Sequence, residues 1–456
     1  MSSQNLTLFS HDDEGKGTLE RPPRLPATKE TARVQMPNRQ QLEWRAMDLE
    51  STLPQDHRAR LVWAYVERLD LKALYAQIKA VKGGEGRTPI APEILLALWL
   101  FATLEKVGSA RELSRLCQQH DAYRWICGGV SVNYHTLADF RIGQGALLDE
   151  LLTTSVANLV AAGLVELNRL AQDGMRIRAC ASSKSFRRRE RLEALLAQAR
   201  QQVAQLKEQV QSDPGAASRR QKAAQERAIR ERQERLEAAL QRLPELEALK
   251  DRQKKKGKKV TEARASTGDA EATNMKMANG GYNPAYNAQL CTDTQSQVIV
   301  GVDMVSVGAD QGQMVPMLAQ VQQRYGTNPE QYLVDGGYVT FAQIELGECH
   351  STIYAPVPEL RNDPYQQHEL HPQDSAVIAR WRQRMASDEA KEIYKQRAAT
   401  AECVNALARE RGLVRLRVRG RAKAKSVLLW YALAHNLMRS VALAPAMFGL
   451  TRPIPC

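Results

Sequence analysis

The sequence predicts an α/β protein: a mixed sheet with a long antiparallel coiled-coil insertion, preceded by an all-helical N-terminal domain. Three observations carry this. The hydrophobic period is helical from about 56 to 165 and strand-like around 170–180 and again from 285 to 357. Between the strand-like stretches it becomes a heptad seam. With 456 residues and 43% hydrophobic content, the chain can build a real core.

In chain order, residues 1–40 are polar, with prolines at 22, 23, 26 and 37, and residues 1–54 are expected to be mostly disordered. Pro92 opens the apolar helix EILLALWLFATLE from the position that tolerates proline. Gly108 breaks it, and Ser109 with Glu112 offers a capping box for RELSRLCQQH. Helix, short glycine-containing turn and helix outline either a helix-turn-helix or a plain packing unit. YHTLADFRIG (134–143) is a further helix. LAQDGMRIRAC (170–180) is a strand containing Asp173.

The insertion follows. Leu192, Leu196, Ala199, Val203, Leu206 and Val210 step by alternating fours and threes, Pro214 and Gly215 stop the helix, and Ile229, Leu236, Leu240 and Leu243 form a matching stripe. KKKGKK (254–259) reads as a flexible basic linker. Beyond it, 285–294 and 297–305 form a β-hairpin, 310–325 a helix and QYLVDGG (331–337) a buried strand. Next come a short helix from Thr340 to Leu346, the strand TIYAPV (352–357) and a loop over 358–380. A helix from Ser387 to Arg411, a basic strand LVRLRVRG (413–420) and an amphipathic helix 426–443 close the chain. The domains are therefore 55–165, helical; 166–183 with 270–445, α/β; 184–269, the basic hairpin; and a tail, 446–456.

The formal net charge is +13. Residues 184–260 carry 22 Lys/Arg against 11 Asp/Glu, and 405–440 carry nine against one, so the remainder is slightly acidic. Two basic blocks suit a phosphate backbone; solvated helix faces and a sticky linker are the plain alternative. The longest apolar run, Ile94–Ala102, is about half of the ~20 residues needed to span a bilayer. No basic stretch with an apolar core marks the N-terminus for secretion. The seven cysteines form no CxxC pair, which argues against a disulfide framework or zinc ribbon, and Cys349, His350, His368 and His371 fit no common zinc spacing. His435-Asn436 reads as packing or a phosphate contact. No P-loop or dinucleotide fingerprint is present, so no nucleotide cofactor is implied.

Asp173-Gly174 and Asp335-Gly336 both follow strands. A buried acid needs a charged partner, and two acids on neighbouring strands repel unless a hard dication joins them. Either Asp could equally cap a turn. On the helix 387–411, Tyr394, Glu402 and Arg409 share a face with Arg397 at its edge. That face could hold a metal and phosphates, or be an ordinary solvated surface.

Taken together, QDGMRIRACAS (172–182), the stretch 275–305, YLVDGGY (332–338), YKQRAATAE (394–402) and the tail 413–439 resemble the bacterial insertion-sequence transposases of the DDE type, in the group with a Tyr…Arg…Glu signature. APEILLALWLFATLEKVGSARELSRLC with YHTLADFR is similar to their N-terminal helical domain. The resemblance implies an RNase H-like catalytic domain and a metal-binding triad of Asp173, Asp335 and Glu402 holding two Mg²⁺ or Mn²⁺ ions. It implies that Tyr394 and Arg397 contact DNA phosphates. Arg409, the basic residues Arg415, Arg417, Arg419, Arg421, Lys423 and Lys425, and Arg187, Arg188 and Arg189 on the hairpin are further expected DNA contacts. The expected partner is double-stranded DNA, at element ends and target, bound by at least a dimer; the expected place is the bacterial cytoplasm at the nucleoid. Two departures stand out. Four residues separate Arg397 from Glu402, where the best-known signature has three, leaving Glu392 and Glu410 as fallbacks, and Arg409 stands where that signature has Lys. The alternatives are an inactive DNA-binding remnant, a nuclease without strand transfer, and a coiled-coil scaffold.

Overall fold

The computed structural model describes residues 40, 46–78, 80, 88–212, 216–255, 257, 259–359 and 366–450. Most of the expected disordered segment, the Pro214-Gly215 break, parts of the basic linker and of the 358–380 loop, and the end of the tail lie outside the described residues.

The helical region holds α1 (Arg58–Val66), α2 (Lys72–Tyr75), α3 (Pro92–Leu104), α4 (Ala110–Gln119), α5 (Asp121–Cys127), α6 (Tyr134–Gly143) and α7 (Gly145–Ala161). α3 is apolar all round and accordingly buried nearly all round. Ser109 caps α4 by accepting from the Glu112 amide, but the Glu112 carboxylate pairs with Arg115, so the box is only half made. α3 packs chiefly on α1, α5, α6 and α15, whereas α4 packs on α5 and α6. That arrangement suits the plain packing unit of the two readings offered for this pair.

The strands are β1 (Arg169–Arg178), β2 (Phe186–Arg187), β3 (Ala265–Ser266), β4 (Thr273–Lys276), β5 (Tyr282–Asp293), β6 (Ile299–Val305), β7 (Gln331–Leu333) and β8 (Thr352–Tyr354). β5 is long enough to pair on one edge with both β4 and β6; beyond its other edge lie β1, β7 and β8. β5 is antiparallel to β1, while β1, β7 and β8 run parallel. The protein is thus mixed α/β, as expected.

The insertion leaves after β1. Its helices α8 (Arg189–Ser212) and α9 (Ala216–Lys255) pack through Leu192, Leu196, Ala199, Leu236, Ala239 and Leu243. β2 and β3 pair antiparallel at its neck.

The remaining helices are α10 (Met314–Tyr325), α11 (Phe341–Glu348), α12 (Ala376–Ala386), α13 (Asp388–Arg397), α14 (Cys403–Glu410) and α15 (Arg421–Leu443). Three expectations are corrected. α12 occupies the end of the segment read as loop. The helix 387–411 is broken by a π-helical turn, Ala398–Glu402. Residues 413–420 are not a strand: a single bridge, Arg178 to Arg415, joins them to β1. Arginines at alternating positions gave strand periodicity without a sheet edge to satisfy it.

α15 is the pillar of the fold, with every residue from Ser426 to Met438 buried. It packs on α3, α6 and α7 and on β6. Asn436 donates to the Ile299 carbonyl and accepts from its amide, both at 2.8 Å, replacing a missing strand partner at the start of β6. His435 Nε2 donates to the Gln297 carbonyl, and burial drives its pKa down to about 3, so the ring is neutral packing. No helix among the described residues is long and apolar enough to cross a membrane.

Candidate active site

The parallel pairing of β1 with β7 ends at Ala171 opposite Leu333. Two residues further along each chain stand Asp173 and Asp335, so strand alternation turns both to the same face. Asp173 Oδ1 accepts from the Gly174 amide at 2.9 Å, and Oδ2 accepts from Asn405 Nδ2 at 2.9 Å. Asp335 Oδ1 accepts from the Gly337 amide at 2.8 Å and caps the turn Gly336–Tyr338. Its turn-capping and candidate catalytic readings therefore coexist, since one oxygen remains.

Asp310 was not singled out from the sequence. Its Oδ1 accepts from Asn287 Nδ2 at 2.7 Å and Gln289 Nε2 at 2.8 Å. It crowds β1 so closely that a Cβ at Gly174 would collide with it, which is why that position is glycine. Asp310 Oδ2 and Asp335 Oδ1 both lie within 4 Å of where a Gly337 Cβ would stand. Behind them is a buried amide network. Gln289 Oε1 accepts from Gln172 Nε2 at 2.8 Å and from the Tyr338 hydroxyl, and Gln172 Oε1 accepts from the Tyr332 hydroxyl at 2.8 Å. Asn287 Oδ1 is buried without a hydrogen-bond partner and faces the same gap at Gly174. Burial pushes the Asp173 pKa up to about 6; Arg397 pulls against it, while Asp335 and Asp310 add to it.

The π turn supplies the other wall. Within it Thr400 Oγ1 donates to the Gln396 carbonyl at 2.8 Å, and alanines flank it on both sides. A π turn takes in one residue more than an α turn, so Glu402, five beyond Arg397, stacks one turn above it. Arg397 Nη2 lies 3.7 Å from Glu402 Oε1 and Nη1 3.8 Å from Asp173 Oδ2. The Arg397 guanidinium lies 6.0 Å from the Tyr394 ring centre. Burial works against the Arg397 charge, but Tyr394, Asp173 and Asp335 outweigh it and raise its pKa. Burial likewise raises that of Tyr394.

The structure therefore brings Asp173, Asp335, Tyr394, Arg397 and Glu402 together. The fallback acids are occupied at the surface, Glu392 by Lys395 and Glu410 by Lys106. Arg409 is exposed, and among the described residues no ion pair joins it to the acids; Asn405, on the same helix, reaches Asp173 instead. Carboxylates with an orphaned amide oxygen fit Mg²⁺ or Mn²⁺ in kind. Their spacing is open: among the described residues no three His, Cys, Asp or Glu side chains are close enough to hold one ion. A polar cavity lined by Glu166, Arg169, Asp293, Glu330 and Gln396 lies at the opposite ends of β1 and β7 and contains none of the acids.

The expected basic contacts divide in two. Arg187 donates to the Lys184 and Phe186 carbonyls, Arg188 pairs with Glu262 and Arg189 with Glu247, so all three brace the hairpin neck. In the tail, Arg421 meets Glu271 and Lys425 meets Asp303. Arg415, Arg417, Arg419 and Lys423 are exposed, with no carboxylate partner among the described residues. Arg417 lies against Gly108, whose carbonyl accepts from the largely buried Arg141. Burial and then Arg417 lower the Arg141 pKa to about 10; burial and then Arg419 lower that of Arg235 on α9.

Two family models match the chain. One, Transposase domain (DUF772), covers residues 47–142. The other, Transposase DDE domain, covers residues 347–441, and so includes Tyr394, Arg397 and Glu402 but begins after Asp335. No curated protein and no solved structure matches.

Proposed function

The chain belongs to the DDE transposases of insertion sequences, and from that premise we propose that it cuts DNA at the ends of its element and joins the freed strands to a target. The carrying observation is the convergence of Asp173 and Asp335, from neighbouring parallel strands, with Arg397 and Glu402 from the helix above. The strand order, an antiparallel β6–β5–β1 meander followed by parallel β7 and β8, supports an RNase H-like core with the hairpin leaving beyond β1.

Asp173 and Asp335 would hold one dication, and Asp173 with Glu402 a second. Such a pair activates water or a DNA 3′-hydroxyl and stabilises the leaving oxygen. Asn405 fixes the rotamer of Asp173, and the Gly337 amide fixes that of Asp335. Arg397 and Tyr394 orient the phosphate next to the scissile bond and offset its developing charge. Arg415, Arg417, Arg419 and Lys423 supply salt-sensitive, sequence-independent grip. Reading of the element ends belongs to the helical region, and at least two chains are needed to join two ends.

The test is end cleavage with Mg²⁺ or Mn²⁺ alongside duplex binding. Asp335→Asn should abolish cleavage and leave binding nearly intact; equal loss of both argues against the assignment.

A further inference from the structure

Arg397 stands between the two acids that the proposed chemistry needs to share a cation. Its nitrogens lie 3.8 Å from Asp173 and 3.7 Å from Glu402, beyond hydrogen-bond length on either side. Nη1 is buried without a hydrogen-bond partner. The guanidinium is thus held by a side-chain hydrogen bond with Tyr394 and by the surrounding negative field, with no hydrogen bond to either acid. Among the described residues no other ion pair reaches Asp173 or Glu402. Asp335 faces the guanidinium from the end of β7, Tyr394 from its own helix, and Asn405, from α14, binds the Asp173 oxygen nearest to it.

We propose that Arg397 is a resident counter-ion, keeping the place of a dication between Asp173 and Glu402 until a DNA phosphate draws it away. This rests on the reading of the site as a DNA-cleaving centre. A guanidinium and a dication repel at such range, so they cannot share the gap. A phosphate offers the guanidinium a bidentate, charge-assisted partner. Once it is engaged there, the two carboxylates are left bare. DNA and metal then bind cooperatively, and by reciprocity each raises the affinity for the other.

The experiment is calorimetric titration of Mn²⁺ into the full chain, alone and with a short random-sequence duplex. The expected result is that Arg397→Gln, without DNA, binds Mn²⁺ about tenfold or more tightly than the wild type does, while Arg397→Lys, which keeps the charge, stays close to the wild type. The duplex should tighten Mn²⁺ binding to the wild type by a factor within the usual ~5–150-fold range of coupling, and much less to Arg397→Gln. Asp173→Asn should remove the heat in every background. Arg397→Met replaces the glutamine variant should circular dichroism show the latter unfolded. Unchanged or weaker Mn²⁺ binding by the neutral variants overturns the proposal, as does equal tightening by DNA with and without Arg397 or heat that survives Asp173→Asn. Cleavage is scored separately. A wild type that cuts no DNA defeats the transposase chemistry but leaves the metal result standing.

Discussion

Asp173 and Glu402, the two acids that flank Arg397 in the proposed site, stand in opposite surroundings. The Asp173 side chain is 18% exposed, inside a sheet whose Gly174 amide holds one oxygen while Asn405 of α14 holds the other. Glu402 is 64% exposed on a turn that departs from α geometry, and its one charged neighbour is at 3.7 Å. The sheet side is assembled at a cost in stability. The helix side keeps its acid exposed to water and leaves it free to adjust to a ligand. The contrast teaches that a divided site can store repulsion in the rigid half and adjustability in the other.

The strongest way to break this comparison is to neutralise each acid in turn. Asp335→Asn, Asp173→Asn and Glu402→Gln should each lower end cleavage by on the order of 10³-fold or more, read by gel, if each removes a shared metal ligand as proposed. Full activity in Glu402→Gln would place the third acid elsewhere, with Asp310 the nearest alternative.

Stability separates the halves next. Asp173 holds its proton up to about pH 6 in the folded chain but only to 3.8 at its ordinary value. Its ionised form therefore costs stability above about pH 6, and that cost disappears as the pH falls below about 4. In EDTA, Asp173→Asn should be more stable than the wild type by on the order of 2–3 kcal/mol at pH 7–8 and equal to it near pH 4. Glu402→Gln should stay within about 0.5 kcal/mol of the wild type throughout. Denaturant melts at the two pH values decide both; a stabilised Glu402→Gln would erase the distinction.

A smaller effect sharpens the same lesson for the basic residues, which also divide into occupied and available. Arg417→Ala with Arg419→Ala should weaken duplex binding roughly tenfold and flatten the salt slope by about one per arginine. Arg188→Ala with Arg189→Ala should leave that slope unchanged, since both side chains already hold carboxylates. Fluorescence anisotropy across a salt series reads the difference.

Much of this was legible in the sequence, for reasons that also mark its limits. Both acids were legible as Asp-Gly pairs beside strands: Asp335 does follow β7, but Asp173 sits in the middle of β1 rather than at its end, because β5 pairs with β1 well beyond Gly174; β5–β6 and β7 follow from their apolar patterns. Asp310 lies in a loop with no period, so only the fold could carry it over Gly174. Asn405 looked like any polar residue on a helix. AATAE contains good helix formers, and nothing in its composition separates a π turn from an α turn. Residues 413–420 failed because alternation describes a strand only where a neighbour offers hydrogen bonds along its length.

The two-residue ribbon of β2 with β3 has a consequence of its own. By pairing Phe186 with Ser266 and Arg187 with Ala265, it staples the outgoing and returning chain together where the hairpin begins. A change in hairpin length beyond that staple would be absorbed there and need not shift β1 or the face that carries Asp173. The hairpin is thereby a graft point, where reach can change while the sheet stays put.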